Sequence, residues 1–213
     1  MEKRFAQIIS ILFHPLFLTF YGLLIFFHSG LYVSYLPQSL KKWIYIIVAV
    51  NTAIVPLSLT PIYLYRKIIL SIQMESSHER IIPLIINAFL FYLTYFLLSR
   101  YNTPDVIRIY ILAGAVCLFI SILISWRWKV SLHMLGIGAL TGTVLSVSFR
   151  YNIDLNLYFI ILVMISGILA FSRLKLNAHN PGQIYSGYMP DIITAVFALS
   201  TNAMGLSAGE SIN

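Results

Sequence analysis

Apolar runs of about 20 residues alternate with short polar intervals along nearly the whole chain, the spacing expected of membrane-crossing helices. The pattern predicts spans over about 5–27, 43–65, 81–98 and 106–126. A fifth runs from just after His133 to Phe149, and the last two cover about 155–171 and 184–206. The first run holds His14-Pro15. With Met1-Glu2-Lys3-Arg4 before it and no A-x-A-like cleavage site after it, it reads as a retained span. His14 reads as a polar group facing another helix. Asn51, Pro56 and Pro61 predict a kinked second span. Gly136, Gly138, Ala139 and Gly142 in the fifth allow close helix approach. Pro190 and Asp191 interrupt the last run, and the tail 207–213 reads as disordered.

Composition agrees with this pattern. The chain is 59% apolar and 10% charged, against about 25% charged in soluble domains, and its mean hydropathy is +0.86. The fold expected is all-α, a polytopic transmembrane bundle of six to seven spans in one domain over 1–206. The net charge of +7 does not point to nucleic acid. The cations are scattered between apolar runs, with no basic stripe interleaved with aromatics. They suit a bilayer surface or an anionic substrate. The single cysteine, Cys117, lies in an apolar run and reads as a small buried side chain.

Parity adds a constraint. The polar intervals around Glu75–Arg80, Arg127–His133 and Arg173–His179 follow the second, fourth and sixth spans, so they belong on one face, with the N-terminus. That face holds nine Lys and Arg against five opposite. Without Arg80, Lys129 and Arg173, the three that would bind an anion, the balance is six to five. Charge alone therefore favours a cytoplasmic site only weakly.

These intervals carry a coherent chemistry. Arg173 offers a planar fork for two phosphate oxygens. His179 precedes Asn180-Pro181-Gly182-Gln183, a helix start with Asn as N-cap, Pro at the first position and Gln at the third. An imidazole at a helix N-terminus could attack phosphorus if its other nitrogen were held. Ser131 reads as an N-cap of the fifth span, with His133 two residues on and Lys129 beside it. Two imidazoles near one phosphate permit one to attack and the other to protonate the leaving alkoxide. Arg80, with His78 near it, would complete a clamp that needs no metal or other cofactor. The competing reading is a metal site at Glu75, His78 and Glu79, which the adjoining Arg80 disfavours.

Ser172-Arg173, five residues, then His179 resembles the third motif, S-R-x5-H-x3-D, of the type 2 phosphatidic acid phosphatase (PAP2) superfamily of membrane lipid phosphatases. Ser131 and His133 match two positions of its second motif, P-S-G-H. The resemblance covers about 66–205. It implies a metal-independent hydrolase acting on a membrane lipid phosphate, embedded in the bilayer (the inner membrane if the cell is bacterial). It implies His179 as the nucleophile that becomes a phosphohistidine and His133 as general acid. Arg173 and Ser131, with the neighbouring backbone N–H, would bind phosphate. Lys129 has no counterpart in the motifs. Gln183 stands where the family has an aspartate, as in dolichyl-diphosphatase-like members, which points toward a polyprenyl diphosphate. The first motif, K-x6-R-P, is poorly matched: Gln73 stands at its lysine, and Pro83 lies three residues after Arg80.

Overall fold

The computed structural model describes residues 2–72, 74 and 76–189, and among them it is a helical bundle without strands. Its helices are α1 (Glu2–Leu12), α2 (Pro15–His28), α3 (Gln38–Ala49), α4 (Val55–Tyr65), α5 (Ile81–Arg100), α6 (Asp105–Ser125), α7 (Leu132–Tyr151), α8 (Asn156–Lys175) and α9 (181–189). Among the described residues, five spans are long and apolar enough to cross a membrane: Gln38–Tyr65, His78–Arg100, Asp105–Ser125, Leu132–Tyr151 and Asn156–Lys175. The bent pair α1–α2 makes a sixth if counted as one. The chain is therefore a multi-pass membrane protein. The expected seventh span lies outside the described residues beyond Met189, as does the tail.

The first span is not the single helix expected. Its two halves meet at 60° around Phe13-His14. The cause is local, because a residue before proline is pushed out of the helical region. His14 accordingly sits at φ −64°, ψ 140°, and Pro15 opens α2. Helix α2 carries the chain from His14 to the far end of the bundle, where the Tyr158 hydroxyl donates to the His28 carbonyl at 3.4 Å. Helix α1 stays behind. It packs along α8, and Glu2 pairs with Lys175 at that helix's last turn.

The second span is one helical run from Gln38 to Tyr65 with a π turn at Val50–Ile54 just before Pro56. Pro56 lacks the N–H its preceding turn needs, and the Val55 N–H reaches back to the Val50 carbonyl. Asn51 Nδ2 and Thr52 Oγ1 donate to carbonyls of their own helix, at 3.0 and 2.8 Å, so neither is left unsatisfied.

Small residues on α7 let α9 lie directly on it. A Cβ on Gly138 would stand 2.6 Å from the Tyr188 carbonyl oxygen, and one on Gly187 would stand 2.8 Å from that of Ser131. This contact of backbone on backbone brings the start of α9 to the start of α7, where the polar intervals converge.

Candidate active site

The α9 start forms as its sequence predicts. Asn180 Oδ1 accepts from the Gln183 N–H at 2.9 Å, and Gln183 Oε1 accepts from the Asn180 N–H at 3.2 Å, a reciprocal capping box. The same Oε1 lies 3.1 Å from His179 Nδ1. An atom facing a backbone N–H must be the acceptor of its amide, so His179 Nδ1 carries the proton. The lone pair of this histidine is therefore on Nε2.

His179 is buried at the junction of three elements, 7% exposed. Burial first, then the fields of Arg80 and Arg173, push its imidazole down to about 4, with Lys129 acting the same way and the Gln183 hydrogen bond opposing. It is neutral at physiological pH and keeps its nucleophilic lone pair.

Arg173, in the last turn of α8, is the hub. It acts electrostatically on Arg80, His179, His133 and His14. Its Nε is buried without a hydrogen-bond partner, as are Ser131 Oγ, Ser10 Oγ and Ser186 Oγ. Arg80 ties the loops together: Nη1 donates to the Val130 carbonyl at 2.7 Å and Nε to that of Met74 at 3.1 Å. Lys129 is half-buried beside them.

Ser131 stands at the N-cap of α7 but makes no side-chain cap bond. Its backbone N–H, expected to face an anion, donates to the Gln183 carbonyl at 3.1 Å and joins α7 to α9. The α9 terminus is also less open than its sequence implied. Asn180 and Gln183 N–H close the capping box, Ile184 N–H bonds the Asn180 carbonyl, and Pro181 has none. An anion here must be held chiefly by side chains. His78 is exposed on the 3-10 turn His78–Arg80. Glu79 accepts from the backbone N–H groups of Leu70 and Ser76, while Glu75 and Gln73 lie outside the described residues.

The structure adds residues the spacing did not single out for chemistry. His133 Nε2 lies 3.0 Å from the Ser10 carbonyl, and the His14 ring meets the His133 ring edge-on, centroids 5.3 Å apart. The His14-Pro15 pair was the available signal: it marks a break, and a break exposes backbone groups. Below these imidazoles lies an apolar cavity of about 90 Å³ between α2, α5, α6 and α7. Its lining includes Pro15 and Leu16, just after His14, and Leu135 and Gly136, shortly after His133.

The site thus gathers cationic and neutral imidazole groups around orphaned donors, and Glu79 is the acidic side chain among the described residues that acts on it. Comparison with known protein families, curated proteins and solved structures returns no match.

Proposed function

We propose that the chain is an integral-membrane lipid phosphatase or diphosphatase of PAP2-like type. It would hydrolyse a lipid phosphate monoester or polyprenyl diphosphate through a phosphohistidine, without metal. The observation carrying this reading is the hub at Arg173. A guanidinium with a buried, unpartnered Nε shares its field with a second guanidinium and three imidazoles, an arrangement that an oxyanion would complete.

In this mechanism Arg173, Arg80 and Lys129 bind the equatorial phosphate oxygens, and Ser131 Oγ donates to the same group. Phosphoryl transfer needs little covalent chemistry from the protein beyond positioning and charge neutralisation. His179 Nε2 attacks phosphorus while Gln183 holds the Nδ1 proton. His133 protonates the leaving oxygen, and in the second half it takes a proton from the water that cleaves the phosphohistidine. The first carbons of the leaving alcohol enter the apolar cavity beside His14 and His133, which has room for about three water-sized groups.

A second reading rests on Gln183. A carboxamide accepts the Nδ1 proton but stabilises an imidazolium less than a carboxylate does, which suits a protein that binds or moves a lipid phosphate without cleaving it. Purified protein is assayed with chelator present on phosphatidic acid, phosphatidylglycerol phosphate, undecaprenyl diphosphate and lipid A phosphates. Release of inorganic phosphate from one of them is expected. Saturable binding with no release over hours would replace the phosphatase reading with the second.

A further inference from the structure

We propose that the break between α1 and α2 is a working part of the site: it frees the Ser10 carbonyl to hold His133 as its Nε2–H tautomer, so that His133 meets the leaving group through Nδ1. This rests on the phosphatase reading and assigns positioning roles to Ser10, His14 and Pro15.

In an uninterrupted helix the Ser10 carbonyl would accept from the His14 N–H. Here the His14 N–H bonds the Ile11 carbonyl at 3.2 Å and the Phe13 N–H bonds that of Ile9 at 3.0 Å. The His14 N–H is diverted to Ile11 because Pro15 forces His14 into an extended conformation, while the Phe13 N–H keeps its ordinary helical bond to Ile9. Ser10 is buried, 7% exposed, so its carbonyl needs a partner from the protein. His133 Nε2 supplies it at 3.0 Å.

A carbonyl oxygen only accepts, so the proton on that side of His133 is fixed on Nε2. Nδ1 is left to exchange a proton with the substrate. His14 completes the mount. Its own Nδ1 accepts from the Leu16 N–H at 3.4 Å, and its ring packs edge-on against that of His133 at 84°. A backbone carbonyl thus orients the acid, as backbone carbonyls and carboxylates orient metal-bound or catalytic histidines elsewhere.

The proton balance follows. His133 takes a proton at Nδ1 from solvent as the anion binds. The His179 Nε2–P bond forms, the P–O bond to the alcohol breaks, and the Nδ1 proton passes to the departing oxygen. His133 returns to its neutral Nε2–H form without letting go of Ser10. In hydrolysis the attacking water gives its proton back to Nδ1 as its oxygen replaces His179 on phosphorus.

Pro15→Ala, in the full chain in lipid nanodiscs, lets the helix close on Ser10 and withdraw its carbonyl. An alkyl phosphate needs its leaving oxygen protonated, whereas a nitrophenyl phosphate scarcely does. We expect kcat/KM, which reports the steps up to departure of the leaving group, to fall about 10- to 100-fold for the alkyl ester and to stay within about twofold of wild type for the aryl ester, while kcat falls on both because the phosphohistidine still needs His133 for its hydrolysis. His133→Ala should show the same selectivity. Equal loss of kcat/KM on both esters, or none on the alkyl ester, in Pro15→Ala overturns the proposal. If His133→Ala itself fails to discriminate, the general-acid assignment of the underlying reading fails instead. Should Pro15→Ala not fold, nitrogen-15 NMR of the wild-type histidines decides. An Nε2–H tautomer at His133 is expected, and an Nδ1–H tautomer overturns the proposal.

Discussion

Gln183 Oε1 lies 3.1 Å from His179 Nδ1, and the same oxygen closes the α9 capping box. One side chain therefore both starts a helix and fixes the tautomer of the proposed nucleophile. Gln183→Ala should lower kcat about 100-fold through loss of orientation and cost about 1 kcal/mol of stability through loss of the box. Gln183→Glu keeps the acceptor and adds charge, so it should retain activity and raise the His179 pKa. Steady-state kinetics and thermal unfolding of the two variants check this.

The neutral state of His179 has a pH signature. Its folded pKa is pushed down to about 4, below the unfolded value, so protonation favours unfolding. Above about pH 6.5 the residue has no effect on stability. Stability falls as pH drops from that point toward the folded pKa, and the slope then vanishes. Histidine-selective NMR should find His179 unprotonated between pH 5.5 and 8, and orthovanadate binding should raise its pKa. A titration midpoint near that of a free imidazole in the anion-free protein would contradict the arrangement of Arg80 and Arg173 around it.

Arg173 is expected to be irreplaceable by lysine. Its buried Nε and its field on Arg80, His179 and His133 demand a planar fork, which an ammonium does not provide. Arg173→Lys should weaken vanadate binding about 10- to 100-fold, the scale of lost charge-assisted hydrogen bonds. Isothermal titration against wild type measures it directly.

Much of this was readable from the chain, and the reasons differ by feature. Hydropathy located α5 to α8 closely, because each is a long apolar run between charged intervals. The α9 start was legible in Asn180 and Gln183, since a capping box is a local pattern of side chains with fixed spacing. Parity assembled Arg80, Lys129, His133, Arg173 and His179, because alternation of membrane spans is a topological rule that needs no tertiary detail. What escaped was backbone chemistry. The Ser10 carbonyl has no letter of its own, and its release depends on where a proline breaks a helix. The engagement of the Ser131 N–H by Gln183 depends likewise on how closely Gly138 and Gly187 let two helices meet.

That close approach makes a prediction of its own. Gly138→Ala drives a methyl into the Tyr188 carbonyl, a backbone group that cannot swing aside, and should cost about 1–3 kcal/mol while lowering kcat by displacing α9. Gly167→Ala on α8 meets nothing within 4 Å and should leave both unchanged. Equal behaviour of the two variants in thermal unfolding and turnover would mean that the α7–α9 contact does not position His179.

The most direct test of the account is phosphate release from a lipid phosphate in the presence of chelator by wild-type protein and by His179→Ala, with both shown to be folded and inserted in membrane. The account predicts turnover by the wild type and none detectable by the variant. Turnover of His179→Ala at the wild-type rate would contradict it.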